Sequence, residues 1–179
     1  MIFKVGYTQS NSALSRWIRW CTRGDASHAY IVFDEVPLVG HIAFEAAWCG
    51  WRMTTRARIK GEQREIEIKS VYPEAAYKAA CDWLDEYYDY LGLLGEAWVM
   101  IGRVLGKKWE NPLAAKAHHM FCSEAQIYIL QAASSDPFWK TLDPRQIDPT
   151  LAEALAEQRC GFTEAYLLAQ RDTLKRMGL

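Results

Sequence analysis

Strand-type segments follow one another in the first half of this chain, with only short turns between them, and helical patterns lie on either side. The segments are Ala29–Phe33, His41–Trp48, Arg52–Ile59 and Arg64–Val71. In the last segment, Ile66 and Ile68 share one face and charged residues occupy the other, as expected of a half-exposed strand. Strands grouped apart from helices are typical of the α+β class, so we predict an antiparallel sheet packed against helices.

Helical spacing and capping residues predict the elements around this sheet. A short strand at residues 2–7 comes first, and the Pro and Gly of Val36–Gly40 predict a hairpin turn. Helices are predicted at Ala13–Cys21 (capped by Ser10 or Ser12), from Pro73 to about Tyr90, at Cys122–Ala133, after Asp148 with Pro149 first, and after Thr163. Leu91–Leu105 is predicted to be a helix broken by glycines. We expect a single domain over 1–179, with 163–179 as a C-terminal helical extension.

The composition excludes several classes of partner. Half of the residues (50%) are hydrophobic and 24% are charged, a globular balance. The 21 Lys and Arg against 22 Asp and Glu give a net charge of −1, so no basic excess indicates nucleic acid. The most apolar stretch, Leu91–Leu105, is interrupted by Glu96 and Arg103 and is shorter than the ~20 residues that cross a bilayer. We therefore expect no nucleic-acid partner and no stable membrane insertion.

The cysteines point to a reducing compartment. The five cysteines are odd in number and widely spaced, and none forms a CxxC pair. The N-terminal segment lacks the apolar core of a signal peptide. We therefore expect a cytoplasmic protein. Eight tryptophans are many for such a chain; core packing is the default for them, and an apolar groove is the alternative.

One of these cysteines, Cys122, stands at the start of a strongly apolar helix, in the segment Met120-Phe121-Cys122-Ser123-Glu124. Free backbone N–H groups and the helix dipole at that position favour a thiolate. The same N–H groups can stabilise the oxyanion that forms when a thiolate attacks a carbonyl. The alternative is a buried cysteine that acts as a small hydrophobic residue.

A thiolate nucleophile needs a base, and His28 is the best-placed histidine. It begins an apolar strand, where its ring can face a cleft above a rigid sheet. The alternative is a surface histidine at a strand end. His118 and His119 precede Cys122 in a predicted loop, where a base is poorly fixed.

The base in turn needs an orienting group, and Glu45 is the candidate. It lies within an apolar strand run, where a carboxylate is costly to bury unless it is paired. If the strands of His28 and Glu45 form a hairpin, the two side chains can meet. His41 lies four residues before Glu45 on the same face and is the alternative histidine. An outward-facing Glu45 on an exposed sheet face is the alternative for the carboxylate.

Other site chemistries have weaker signals. No CxxC or HxxxH pattern indicates a metal, and no glycine-rich phosphate loop indicates a nucleotide, so we predict no cofactor and no metal. The basic residues that alternate along one predicted strand can meet an anion or form a solvated face; they are Arg52, Arg56, Arg58 and Lys60. Tyr7, at the end of the first strand, is a candidate for contact with substrate.

These residues, in this order, resemble a known family. Its motifs here are Ser27-His28 before an apolar strand, Phe44-Glu45-Ala46, Tyr88-Asp89-Tyr90-Leu91-Gly92, Phe121-Cys122-Ser123-Glu124 and Ile147-Asp148-Pro149. The set resembles the circularly permuted NlpC/P60 group of papain-like cysteine hydrolases, above all its YiiX/YaeF-like branch. In that group the histidine precedes the cysteine, as it does here. The resemblance covers about residues 1–150, and its specificity comes from the ordered set rather than from any one motif.

The resemblance implies a permuted NlpC/P60-like fold with Cys122 as nucleophile, His28 as base and Glu45 as orienting residue. The implied reaction is hydrolysis of an amide or ester through a thioester, on a peptide or lipid-like acyl substrate. We expect Tyr7, Ser27, His41 and Tyr88 to contact substrate. The alternatives are a thiol acyltransferase and a catalytically silent binding module on the same fold. The oligomeric state is open.

Overall fold

The computed structural model describes residues 1–47, 50–84, 87–88, 102, 106–107, 109 and 119–160. Its strands are β1 (Ile2–Gln9), β2 (His28–Val36), β3 (Gly40–Ala47), β4 (Gly50–Thr54), β5 (Glu62–Glu67), β6 (Tyr87–Tyr88) and β7 (His119–Met120). Its α-helices are α1 (Ala13–Thr22), α2 (Pro73–Asp82), α3 (Cys122–Ala133) and α4 (Pro149–Cys160). Short 3-10 turns lie at Arg56–Arg58, Pro137–Thr141 and Pro144–Gln146.

Five of the strands form one antiparallel sheet in the order β4-β3-β2-β1-β5. The predicted class, an antiparallel sheet packed against helices, is therefore confirmed. The central strand β2 pairs with β1 on one side and with β3 on the other, and Tyr30 stands opposite both Gly6 and Glu45. Since residues directly opposite one another share a face, this register places the side chains of Tyr30 and Glu45 on the same side of the sheet.

The other side of the sheet carries the main core. The ring of Phe33 makes edge contacts with three aromatic rings at centroid distances of 5.5, 5.8 and 5.3 Å, those of Phe3, Phe44 and Tyr77. Tyr77 comes from α2, whose Ala76 and Ala80 are fully buried. Small residues on α2 let this helix approach the sheet closely, and the aromatic rings fill the space that is left.

Helix α3 is held to the sheet by polar contacts as well as by apolar packing. The side-chain amide of Gln126 is fully buried, accepts a hydrogen bond from the Tyr7 hydroxyl (2.9 Å) and donates one to the Tyr30 carbonyl (2.9 Å). At the start of the helix, the Ser123 hydroxyl donates to the carbonyl of Ile147 (2.6 Å). These bonds fix both the height and the rotation of α3 against β1 and β2, and so they fix the position of its first residue, Cys122.

The second face of the sheet has a smaller cluster, built around Tyr30. The ring of Tyr30 crosses β1 over Gly6, and its hydroxyl donates to Glu65 on β5 (3.2 Å). A Cβ on Gly6 would lie 2.2 Å from Cζ of Tyr30, so only glycine fits there. Ile59 covers this face together with Val32 and Ala43.

The segment Arg52–Ile59, predicted to be one strand, is shorter in the structure. β4 ends at Thr54, and Arg56–Arg58 forms a 3-10 turn. The turn is held by the pairing of Arg56 with Glu65 (2.7 Å), and it brings Ile59 back over the second face. The chain has to leave the β4 edge to reach the β5 edge, and tertiary contacts at this crossing outweigh the strand-like alternation of the sequence.

The helix predicted from Pro73 to about Tyr90 is also shorter. α2 ends at Asp82, and the ring of Trp83 stacks on Tyr128 of α3 with a centroid distance of 5.5 Å. The backbone at Tyr87–Tyr88 pairs in parallel with His119–Met120, which a continued helix would prevent. The predicted segments Leu91–Leu105 and 163–179 lie outside the described residues, apart from Gly102 in the first.

The predicted helix Cys122–Ala133 has the bounds found for α3, and α1 has its predicted cap, since the Ser12 hydroxyl accepts from the Ser15 N–H (3.1 Å). Asp148 caps α4 as predicted, because its carboxylate accepts from the Leu151 N–H (2.9 Å). These helix starts follow from local capping chemistry, which sequence shows directly.

We predict that Gly6→Ala lowers the free energy of unfolding by about 1–3 kcal/mol, because the new methyl group displaces the Tyr30 ring. Urea unfolding of wild type and variant measures it. The same substitution in a Tyr30→Ala background should cost much less, since the clash is then absent. Equal stability of Gly6→Ala and wild type would contradict the packing described for Tyr30.

Candidate active site

Three elements meet at one end of the five-stranded sheet. β2 begins there with His28, and α3 begins there with Cys122. β1 reaches the same end, since Thr8 stands opposite His28. The side chains of His28 and Cys122 lie close enough to shift each other's pKa, although they are far apart in sequence.

The Cys122 thiol is buried, with 6% of the residue exposed, and it is surrounded by donors. The His28 ring and the backbone N–H groups of Ala29 and Ser123 act on its sulfur as donors. Burial alone raises the pKa of the thiol, but these hydrogen bonds and the charge of His28 outweigh burial and lower the pKa of Cys122 below its usual value. The position therefore favours a thiolate.

The other side of the imidazole is held by Glu45. Nε2 of His28 lies 3.0 Å from Oε2 of the Glu45 carboxylate, so Nδ1 is left for the sulfur. The β2–β3 hairpin provides this contact, because its register sets Glu45 opposite Tyr30, two residues from His28. The sequence-predicted residues Cys122, His28 and Glu45 are thus brought together in one chain of hydrogen bonds.

Arg52 extends this chain and was not predicted to lie in the site. It stands opposite Glu45 on β4, and its Nη2 and Nε donate to Oε1 of that carboxylate at 2.5 and 3.1 Å. From the sequence alone, Arg52 is predicted to lie on a basic strand face that meets an anion or solvent. Its contact with Glu45 follows from the β3–β4 register, which places a cation directly opposite a carboxylate in an apolar run.

The charges alternate along these four side chains. Burial lowers the pKa of His28, but the hydrogen bonds to Cys122 and Glu45 outweigh burial and raise it to about 9. Burial raises the pKa of Glu45, and the hydrogen bonds from His28 and Arg52 bring it below its usual value. Near neutral pH an imidazolium, a carboxylate and a guanidinium therefore alternate in charge, and the Cys122 thiol beside the imidazolium ionises more readily than a free thiol.

Two of the expected substrate contacts lie beside the site as buried residues. The Tyr7 hydroxyl donates to Gln126, and burial, followed by the charges of Glu153, Glu157 and Cys122, keeps its pKa well above the usual value. The Ser27 hydroxyl donates to the Thr8 carbonyl (3.1 Å) and accepts from Ser15 (2.6 Å). In the structure both hydroxyls position the elements around His28.

Of the other two expected substrate contacts, His41 lies away from the site, and the side chain of Tyr88 lies outside the described residues. His41 pairs with Asp34 (2.6 Å), six residues along β2 from His28 and so about 20 Å away at the opposite end of the hairpin. Its closeness to Glu45 in sequence does not bring it to the site, because an antiparallel hairpin separates the two strand ends. The backbone of Tyr88 pairs with Met120, just before the cysteine helix, and its side chain lies outside the described part.

No group of three or more metal-binding side chains occurs among the described residues. Within the same residues, no helix is both long and apolar enough to cross a bilayer. Cys81 lies on α2 and Cys160 ends α4, and both are half-buried. His118, Trp48 and Cys49 lie outside the described residues.

Comparison with protein-family models finds no match for this chain, and comparison with curated protein sequences finds none either. The chemistry of the site therefore has to be inferred from its own geometry. That geometry defines a buried thiol with an ordered imidazole and carboxylate.

We predict that iodoacetamide alkylates Cys122 fastest, and that its rate stays high well below pH ~8.5, the usual pKa of a free thiol. His28→Ala removes the main cause that lowers the pKa of Cys122 and leaves burial, which raises it. The rate at pH 7 should then fall about tenfold or more. Peptide mass spectrometry identifies the alkylated cysteine, and Cys81 and Cys160 serve as internal controls. Equal rates in wild type and His28→Ala would contradict a thiolate–imidazolium pair.

For Arg52→Met we predict two separate effects. The rate of any Cys122-dependent reaction should fall roughly fivefold, because Glu45 loses the partner that orients it. The alkaline limit of the pH profile, set by His28 near pH 9, should move upward, since one positive charge near the imidazolium is gone. Arg58→Met on the exposed 3-10 turn is the matched control and should change neither. A lower rate with an unmoved alkaline limit would argue against this role for Arg52.

Proposed function

We propose that this protein is a thiol hydrolase that cleaves an amide or ester bond through a thioester on Cys122. The observation that carries the proposal is the buried Cys122 thiol beside the His28 ring, which Glu45 holds on its other side at 3.0 Å. A buried cysteine that served only as a hydrophobic residue would not need an imidazole and a carboxylate arranged beside it.

In the first half of the proposed reaction, the thiolate of Cys122 attacks the carbonyl carbon of the substrate and a C–S bond forms. The imidazolium of His28 donates its proton to the leaving nitrogen or oxygen, and the C–N or C–O bond breaks. In the second half, neutral His28 takes a proton from water, which attacks the thioester. The carboxylic acid leaves, and the thiolate–imidazolium pair is restored.

The oxyanion that forms in each half needs donors near the sulfur. The first-turn N–H groups of α3 have no partner one turn earlier in the helix, and the N–H of Ser123 already points at the Cys122 sulfur. These N–H groups and the positive end of the helix dipole suit the developing negative charge. Glu45 does not exchange protons in this scheme; it keeps the imidazole oriented and stabilises its charged form.

We further propose that the fold is of the permuted NlpC/P60 type. Support comes from the chain order of the site, in which the histidine strand β2 and the carboxylate strand β3 precede the cysteine helix α3. The substrate class that we infer is a peptide or lipid-like acyl compound, since thioester chemistry requires an acyl group.

Mass spectrometry of the protein mixed with p-nitrophenyl acyl esters tests the proposal. We expect acylation of Cys122 and release of p-nitrophenol, both abolished in Cys122→Ala, with Glu45→Gln slower but active. Cys81→Ala and Cys160→Ala are the matched controls and should keep the wild-type rate. Turnover in water alone identifies a hydrolase, whereas turnover only with an added amine or alcohol would identify an acyltransferase. Unchanged activity in Cys122→Ala, or no acylation of Cys122, would exclude the proposed mechanism.

A further inference from the structure

Helix α1 is amphipathic, and it is attached to the domain by its polar side. Ser15, Arg19 and Thr22 recur at helical spacing and form one stripe. Each of them bonds inward: Ser15 to Ser27 (2.6 Å), Arg19 to the side chain of Gln9 (3.1 Å) and the carbonyl of Ser10 (3.3 Å), and Thr22 to Thr150 (3.1 Å). An amphipathic helix at a protein surface normally does the opposite and packs its apolar stripe on the core.

The apolar stripe of α1 faces away from the sheet. Leu14 is 54% exposed and Trp20 is 65% exposed, and Trp17 and Ile18 between them are only half-buried. Exposing a tryptophan and a leucine on one helix is costly, because burial of such side chains away from water lowers the free energy. No described segment covers the outward part of this stripe.

The charged side chains of α1 and its C-cap are all positive. They are Arg16, Arg19 and Arg23, of which Arg16 and Arg23 are exposed. Arg16 is exposed and lies four residues before Trp20, on the neighbouring part of the helix surface. A surface of tryptophan, leucine and arginine suits an interface between anionic headgroups and acyl chains, where the indole ring is favoured.

α1 also lies at the end of the sheet that holds the candidate site. It connects the end of β1, where Thr8 stands opposite His28, with the start of β2. The Ser15–Ser27 hydrogen bond joins the helix to the residue directly before His28. A surface that binds the outer side of α1 would therefore adjoin the end of the sheet where His28 and Cys122 lie.

We propose that α1 is a peripheral docking helix for an anionic lipid surface, which it contacts through Leu14, Trp17 and Trp20 with the help of Arg16. On this basis the acyl bond that Cys122 cleaves belongs to a lipid of that surface. The substrate assignment rests on the proposed thiol hydrolase function, whereas the docking of α1 does not.

Vesicle sedimentation with the Cys122→Ala protein tests the docking without turnover. The probes are phosphatidylcholine vesicles with and without phosphatidylglycerol, and we expect binding that is stronger to the anionic ones. Leu14→Ser with Trp20→Ser should weaken binding roughly tenfold or more, because the apolar contact is lost. Tyr72→Ser, which alters another exposed aromatic residue (62% exposed), is the matched control and should bind as before.

Charge-reversal variants measure the electrostatic contribution to vesicle binding. Arg16→Glu should weaken binding to anionic vesicles about fivefold or more, and Arg58→Glu, with the same change of charge, should have little effect. Equal binding by all variants, or no binding to either vesicle, would overturn the docking. A dimer that is seen by sedimentation equilibrium and lost in Trp20→Ser, together with no vesicle binding, would also overturn the docking. The stripe would then bind a second copy of the chain.

Ester hydrolysis by the wild-type chain in the absence of vesicles keeps the two proposals apart. Vesicle binding through α1 without Cys122-dependent hydrolysis of a water-soluble ester supports docking and excludes the hydrolase. Hydrolysis of the soluble ester without vesicle binding supports the hydrolase and excludes docking through α1. If both hold, addition of anionic vesicles that carry the acyl substrate should raise the turnover of wild type and leave that of Leu14→Ser with Trp20→Ser near its vesicle-free rate.

Discussion

The buried amide of Gln126 is the contact on which the position of the site depends. It lies four residues after Cys122, so the two side chains stand one above the other on the same side of α3. Its oxygen accepts from Tyr7 on β1 and its nitrogen donates to the carbonyl of Tyr30 on β2, in a place without access to water. Leaving either half unpaired would cost about 1–3 kcal/mol, so α3 is held in one register against the sheet.

The buried charges at this site are stabilised by their alternation in sign along the site rather than by any single ion pair. Glu45 alone would be expensive in an apolar strand, but His28 and Arg52 each take one of its oxygens. His28 alone would lose its proton on burial, and the carboxylate and sulfur on its two sides prevent this. The same geometry that makes the charges tolerable lowers the pKa of Cys122, so the burial of these charges and the ionisation of the thiol have one cause here.

A feature of this structure can be predicted from the sequence when the residues that cause it are neighbours along the chain. The bounds of α3 and the caps of α1 and α4 follow from side chains next to the helix ends, and all were predicted. The early ends of β4 and α2 follow from partners far along the chain, Glu65 for Arg56 and Tyr128 for Trp83, which no local pattern contains. In the site, the chemistry of Cys122, His28 and Glu45 suggests itself from residue type and position. Arg52 is found only once the β3–β4 register is known.

The orientation of α1 is also set by partners far along the chain, so the local sequence does not predict it. A hydrophobic stripe at helical spacing predicts a helix, but it does not say which side packs inward. Here the polar stripe has partners in three other elements, Gln9 of β1, Ser27 of the turn before β2 and Thr150 of α4, and they are available only because these elements converge at one end of the sheet. That convergence also builds the site, since the turn that receives Ser15 continues directly into His28. A helix whose apolar residues face outward at this end therefore places the exposed Trp20 and Arg16 at the end of the sheet where His28 begins β2, so the surroundings of His28 depend on how α1 is turned.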